Sequence, residues 1–482
     1  MKILIIQLAR LGDIYMTWPV LRALRRQHPE AELHILTRPR FEPALKGLDA
    51  IDKHLSLSGS TILAPLVQEE PDIAQSLTHL QGFIEGLKKE KYDQVINLTF
   101  SPVSSYLTHA VSHETTQVLG YSRHRDGSLC LSDEISAYFY AQVGVGKANR
   151  VHLTDVFASM LDIQYVEEDW RAPAIAAAPV ALPDNYVVLH IGASEKHKAL
   201  SASHWSEVLN QLQPEWVTPV VLIGATEETS QAEQIQKTVR APLQVINLVG
   251  RTQISDLFSI LQGADMLIGC DSAPIHMASL TDTPTFNVSV GEVNYWETGP
   301  KASLGFIYRV EGQGVNPLHI AICLKSLFRG AAHPALMTRT GGLVSYHREE
   351  SPAETFQWNL IRALYLGGPY PLAERMEILQ GAMKLEEVNS FAKEQIALVS
   401  HRGLEVVGPL LDRAEEVIEN ISRWVPELGP LISWYQAEKI RIAPGSLEEI
   451  CSATLSVHDR LARHLQVYIP HENMEEVDDG AL

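Results

Sequence analysis

Apolar and polar positions along the chain change period twice. Residues 2–8, KILIIQL, form a short β-branched apolar run of the kind shown by a parallel strand buried on both faces. After the turn Leu11-Gly12-Asp13 the spacing becomes helical from about Ile14 to Gln27, where Trp18, Leu21 and Leu24 share a face. AELHILTR follows as a second strand, so the chain opens as a βαβ unit. Residues 56–90 read as weakly specified helix interrupted by Pro65 and Pro71. DQVINLTF (93–100) and TTQVLGYS predict further strands, and VHLTDVFASML (151–161) a helix. RAPAIAAAPVALP (171–183), rich in Ala and Pro and almost uncharged, is the expected linker.

Beyond it the alternation restarts. YVVLHIGA, PVVLIGA, QVINLVG, MLIGC and TPTFNVSVG read as strands; HWSEVLNQL, EETSQAEQIQKTV, ISDLFSILQGA and APIHMASL read as helices between them. The expected class is therefore α/β, with two doubly wound Rossmann-like domains facing a cleft. From about Pro352 the strand signal stops and successive stretches, from AETFQWNLIRALYL to LEEICSATLSVHDRLARHLQVY, carry helical spacing. This predicts an appended all-helical region ending in a frayed acidic tail, ENMEEVDDGAL. The expected domains are 1–175, 183–340 and 345–482. No fixed period supports a tetratricopeptide array.

Composition narrows the setting. The 482 residues carry 39 Lys and Arg against 58 Asp and Glu, a net charge of −19, which disfavours a protein that coats nucleic acid. No apolar run approaches the ~18–20 residues of a membrane span. The opening MKILIIQLARLGD is interrupted by Gln7, Arg10 and Asp13 with no cleavage site after it, so a cytoplasmic protein is expected, with peripheral contact to the inner membrane face as a variant. Cys130, Cys270, Cys323 and Cys451 lie far apart and form no CxxC pair, which argues against a zinc ribbon or a disulfide framework. The charge is uneven: residues 341–482 hold 12 basic and 23 acidic residues, whereas residues 1–40 hold seven basic and three acidic. That basic start is either a face for an anionic substrate or membrane, or a set of solvated helix arginines.

In open α/β sheets ligands bind beyond the carboxyl ends of strands, which selects four turns. At Arg10-Leu11-Gly12-Asp13 a carboxylate at a cleft mouth can act as general base on a hydroxyl, or simply cap the helix. At His190-Ile191-Gly192-Ala193-Ser194, followed by Lys196 and Lys198, small residues and an ammonium suit a diphosphate; a solvent-exposed lysine is the plain alternative. At Gly224-Ala225-Thr226-Glu227-Glu228 a carboxylate either accepts hydrogen bonds from a ribose diol or complements a helix dipole. At Asp271-Ser272-Ala273-Pro274-Ile275-His276, Asp or Ser caps a helix whose first N–H groups can hold an anion, supplemented by His276. The motifs GxxxxGK[ST], HExxH, GxSxG and GxGxxG are absent, as is any Cys/His cluster with metal spacing, so no metal site is expected.

Taken in order, these segments resemble glycosyltransferase family 9, the bacterial heptosyltransferases. The resemblance rests on KILIIQLARLGDIYMTWPVL, YDQVINL, VLGYS, HIGASEKHK, VVLIGATEE and NLVGRTQISDLFSILQGADMLIGCDSAPIHMASLTDTP, and covers roughly residues 1–330. It implies a GT-B architecture, with the acceptor held mainly by the first domain and the nucleotide sugar by the second. It further implies Asp13 as general base, Ser194 and Lys198 at the phosphates, Glu228 at the donor ribose with Glu227 one residue away, and Asp271, Ser272, Ala273 and His276 around diphosphate and sugar. The family usually has glycine where this chain has Ala273, and often Asp where it has Asn97. Asn97 and Arg123 are the candidate acceptor contacts; Arg123 and Arg125 meet acceptor phosphates or face solvent.

The implied reaction is inverting, metal-independent transfer from a nucleoside-diphosphate sugar, ADP-heptose foremost, with no cofactor. The acceptor would be a hydroxyl of a surface glycolipid such as lipopolysaccharide core, a polysaccharide or a protein. The alternatives are another GT-B enzyme with a uridine-type donor and a nucleotide-sugar-binding scaffold. The helical extension would dock on the α/β domains, build an oligomer or recruit a protein partner.

Overall fold

The computed structural model describes residues 1–174, 178–193, 195–310, 314–328, 341–346 and 355–469, the last-but-one stretch and Lys196 by backbone alone. The expected acidic tail lies outside the described residues. Two compact units emerge: Met1–Gly120 with Arg150–Pro352, and Tyr121–Asn149 with Ala353–Leu482.

The first unit holds two parallel sheets. Strands β1 (Lys2–Ile6), β2 (Glu32–Thr37), β3 (Lys53–Ser56), β4 (Gln94–Asn97) and β5 (Gln117–Arg123) run side by side in the order β3-β2-β1-β4-β5. Register pairs Ile5 with Ile35 and Ile6 with Asn97. Strand β6 (Leu129–Leu131) extends the edge of this sheet beside the end of β5, and the chain goes on to β7 (Val187–His190), β8 (Val220–Ile223), β9 (Val245–Asn247), β10 (Met266–Cys270), β11 (Thr285–Ser289) and β12 (Gly305–Val310). Of these, β7 to β12 build the second sheet in the order β12-β11-β10-β7-β8-β9, with β13 (Gly341–Tyr346) antiparallel on β12. Both orders place the first strand at the centre and wind outward in both directions, the doubly wound pattern expected from the alternation. Ile3 to Ile6 are wholly buried, which is why β1 reads as an unbroken apolar run instead of an alternating one.

Within this unit the two sheets' helices pack directly on one another. Tyr15 and Trp18, from the helix Leu11–Gln27, meet Phe258 of the helix Leu257–Gln262 with ring centroids 5.7 and 5.6 Å apart. The buried Lys301 ammonium sits 2.8 and 2.7 Å from the two Asp155 oxygens and 3.0 Å from the Tyr165 hydroxyl. His152 Nε2 lies 3.1 Å from the Gly299 carbonyl. The Ala/Pro stretch 171–183 contains no helix or strand over its described residues.

Within the basic opening segment Arg10, Arg26, Arg38 and Arg40 are exposed, whereas Arg22 and Arg25 are drawn into the fold. Arg22 is buried and donates to Asp49 at 3.0 Å and to the Asp169 carbonyl at 3.0 Å; Arg25 binds Asp52 and the Ala31 carbonyl, and Arg26 binds Asp169 at 2.7 Å. These arginines tie the Leu11–Gln27 helix to neighbouring loops, because a guanidinium can satisfy several carbonyls and a carboxylate at once.

The second unit is helical apart from β6, which pairs antiparallel with the end of β5 through Tyr121 and Leu131. Its helices are Glu134–Gln142, Phe356–Tyr365, Met376–Ala397, Leu404–Trp424, Gly429–Ile440 and Leu447–Leu465, closed on Leu360, Leu385, Ile418, Leu431, Tyr435 and Leu461. Residues 121–149, assigned above to the first α/β domain, belong here. The Gln142 amide donates to the Pro430 carbonyl at 2.9 Å and Lys147 to the Ser433 hydroxyl at 3.0 Å. Among the described residues no helix is long and apolar enough to cross a membrane.

Candidate functional site

The four sequence-selected turns lie in the first unit at the carboxyl ends of β1, β7, β8 and β10. Asp13 occupies the first turn of the Leu11–Gln27 helix, and its carboxylate turns back to accept the Arg10 backbone N–H at 2.8 Å. Burial lifts its pKa above the ordinary carboxylate range, while that hydrogen bond and the charges of Arg10 and Lys198 oppose the rise. The capping function and the cleft carboxylate are thus properties of one side chain.

Facing it, the helix Ala273–Thr281 begins directly after β10. Ser272 stands at its N-cap position but makes no capping hydrogen bond. Its hydroxyl donates to the Cys270 carbonyl at 2.9 Å and lies 2.9 Å from Nδ1 of His190, on the neighbouring strand β7. With the hydroxyl proton spent on Cys270, His190 is the donor of that contact. Burial pushes the His190 pKa down to about 4, so it donates as a neutral ring. The expectation that Ser272 caps its helix is corrected accordingly: a partner 82 residues away takes the hydroxyl, and the first N–H groups of the helix keep their capacity for an anion.

Asp271 accepts a long hydrogen bond from the Thr298 hydroxyl at 3.4 Å, and burial raises its pKa to about 6, with the Asp13 charge adding to the rise and Lys198 opposing it. His276 is buried and its pKa is depressed to about 4 by burial, which leaves it neutral at pH 7. Its ring lies against Gly12: a Cβ there would stand 2.7 Å from His276 Cδ2 and 3.8 Å from Ala273 Cα. A glycine is therefore required at position 12 by close approach of the helix that opens at Ala273. That contact, with the shared influence of Lys198 on Asp13 and Asp271, brings the two carboxylates, the lysine and the helix start into one space.

Lys198 ends a short turn after β7, its ammonium 3.5 Å from the Glu195 carboxylate and largely covered. Ser194 lies outside the described residues. Glu228 turns inward over the glycines that follow β7 and β8: Cβ atoms on Gly192 and Gly224 would fall 1.9 and 2.4 Å from its carboxylate oxygens. It accepts the Ala225 N–H at 2.6 Å, and burial raises its pKa. Its neighbour Glu227 is exposed, which separates the two adjacent acids.

The two acceptor candidates are placed differently. Asn97 is wholly buried at the end of β4, its amide donating to Ser104 Oγ at 3.1 Å and accepting the Thr99 N–H at 3.0 Å, so both ends serve the local turn. Arg123 falls in the second unit and donates to the Gly127 carbonyl at 3.2 Å. Sequence reasoning passed over Glu195 and Thr298. Glu195 stands in a charged stretch, Glu195-Lys196-His197-Lys198, that reads as a solvated run, and only the fold reveals that it meets Arg10.

The family model for glycosyltransferase family 9 (heptosyltransferase) matches residues 81–292, a span that takes in Lys198, Glu228 and the Asp271–His276 segment and begins after Asp13. Lipopolysaccharide heptosyltransferase 3 of Escherichia coli strain K12 is 22% identical over 282 residues, covering 58% of this chain and 79% of that protein. Lipopolysaccharide heptosyltransferase 1 of Campylobacter coli is 23% identical over 310 residues, covering 60% and 83%. Among solved structures, E. coli heptosyltransferase WaaC with ADP aligns with a TM-score of 0.49 at 17% identity, over 69% of this chain and all of that one. Over residues 81–292 the chain is thus similar to glycosyltransferase family 9, and the ordered motifs and curated relatives support a heptosyltransferase-like glycosyltransferase.

Proposed function

We propose that the protein moves a heptose or a closely related sugar from a nucleoside diphosphate, ADP foremost, to a hydroxyl of a surface glycolipid, with inversion and without a metal. The observation that carries this reading is the convergence of Asp13 with Lys198, Asp271 and the start of the Ala273–Thr281 helix. A carboxyl whose pKa is lifted by burial is a stronger base than an ordinary carboxylate. Asp13 takes the acceptor hydroxyl proton as that oxygen attacks the anomeric carbon, which passes through an oxocarbenium-like state. The bond from that carbon to the β-phosphate oxygen breaks, and the charge left on the nucleoside diphosphate is met by the Lys198 ammonium and the helix N–H groups. Glu228, turned inward while Glu227 faces solvent, receives the ribose hydroxyls.

Asp13 as base, Lys198, Ser194, Asp271, Ser272, Ala273 and His276 as donor contacts, and an acceptor drawn from lipopolysaccharide core, polysaccharide or protein are parts of this proposal, supported by the family and by placement. So is a cytoplasmic protein working at the inner membrane face, in line with the lipopolysaccharide enzymes it is similar to. The test is transfer from ADP-heptose to heptose-deficient lipopolysaccharide core by the full chain, with UDP-sugars as competitors. Transfer from ADP-heptose that disappears in Asp13→Ala supports the reading, and turnover with UDP-sugars alone replaces it.

A further inference from the structure

One arrangement of charges beside the same site lies outside the proposed machinery. Arg10, the residue whose N–H holds the Asp13 carboxylate, projects its guanidinium across to Glu195 and forms an ion pair with it. Glu195 stands on the opposite wall, three residues before Lys198, and its carboxylate also lies 3.5 Å from the Lys198 ammonium and 3.4 Å from the His197 ring. One exposed carboxylate thus collects three basic groups, two of which also act electrostatically on Asp13 and Asp271. Lys198 and Arg10 are the basic residues whose charge reaches both half-buried carboxylates.

Resting on the diphosphate reading above, we propose that Glu195 is an internal stand-in for the donor diphosphate, and that Arg10 is a second diphosphate-binding cation released when the ligand displaces Glu195. The carboxylate is a monoanion gripping cations that a diphosphate, with more charge and more acceptor oxygens, grips better. The pair is also cheap to open. Arg10 is 54% exposed and Glu195 36%, and ion pairs this exposed contribute little. A diphosphate entering between them exchanges one weak pair for charge-assisted contacts to both Arg10 and Lys198. Glu195 then has no cation left on the cleft side, and its repulsion from the phosphates moves it outward. Because the backbone of Arg10 holds Asp13, the side chain that seats the donor and the backbone that orients the base belong to one residue. The pair joins the two layers of the first unit without a residue of the core.

The experiment is calorimetric titration of the full-length protein with inorganic pyrophosphate, and in parallel with ADP, for wild type, Glu195→Gln, Arg10→Gln, Lys198→Gln and the double variant Arg10→Gln/Glu195→Gln. Glu195→Gln is expected to tighten pyrophosphate by about threefold to fivefold, the scale of one exposed ion pair. Arg10→Gln is expected to weaken it, and in the Arg10→Gln background the Glu195→Gln gain shrinks, since one of the groups that Glu195 withholds is gone. If Lys198→Gln costs affinity while Glu195→Gln leaves it unchanged or weakens it, the diphosphate site stands and the stand-in role falls. If Arg10→Gln binds as wild type does, Arg10 is not a diphosphate contact. Absence of binding of either ligand to any variant overturns the donor-site reading and this inference with it.

Discussion

Asp271 allows the sharpest quantitative test of the site, because its cost to the fold and its use to the ligand have opposite signs. Its pKa is raised by burial from 3.8 to about 6. Between these values the folded protein binds more protons at this position than the unfolded chain, so stability falls as pH rises through the window and the deficit is complete above pH 6. A shift of about two units at ~1.4 kcal/mol per unit puts the deficit at roughly 3 kcal/mol at pH 7.5. Asp271→Asn keeps the shape and an acceptor for the Thr298 hydroxyl, yet removes the ionisation. The variant should therefore unfold later than wild type at pH 7.5, by a few degrees for a unit of this size, and the gap should close towards pH 4. Donor turnover should fall in the same variant. Calorimetric scans of both proteins across pH 4–8 measure the difference directly. A stability gap that is independent of pH, or a variant less stable at pH 7.5, would refute desolvation as the state of Asp271.

Other outcomes follow from the same geometry. Asp13→Ala should cut transfer by roughly 10²–10⁴-fold, the range of a positioned base, while the ADP dissociation constant from titration changes by less than about threefold. Gly12→Ala places a methyl 2.7 Å from His276 Cδ2 and forces that ring to move; we expect a drop of ~10-fold or more in kcat with far-UV circular dichroism unchanged, and wild-type kcat would show that the contact is slack. Lys301→Met strips the buried ammonium from Asp155 and Tyr165 and should cost about 3–5 kcal/mol in urea unfolding of the first unit. Adding Asp155→Leu to it should restore part of that loss, and a purely additive double variant would argue against the pairing.

The sequence carries the fold and the site unequally, and the division follows range. β1 and β10 are legible because a strand covered on both faces by helices leaves an unbroken apolar run, whereas the turn expected at Leu11-Gly12-Asp13 is already the first turn of the Leu11–Gln27 helix. Periodicity tells that a face is buried but not against what. The helix Glu134–Gln142 follows the first sheet in sequence, yet Gln142 finds its partner at Pro430, so residues 121–149 join the helical unit. Ser272 fails as a cap for the same reason: the local pattern is right, but His190 on an adjacent strand claims its hydroxyl. Asn97 shows the converse, a position marked by resemblance whose amide is consumed by Ser104 and Thr99 a few residues away.

Asp13 shows how the two kinds of information meet. Read locally, a carboxylate in a first helical turn accepts an orphan N–H and complements the dipole; in the proposed reaction it is the base. These roles look exclusive in sequence and are compatible in the molecule, because the hydrogen bond from Arg10 fixes one carboxylate oxygen in place. A carboxylate has lone pairs to spare after one such bond, and a flexible aspartate at a cleft mouth would lose orientation each time the site emptied. The cap therefore supplies the pre-organisation that the proposed base needs. Its cost is acidity, since each N–H donated to the carboxylate lowers the pKa that burial raises. The balance favours burial, which leaves Asp13 both held and basic.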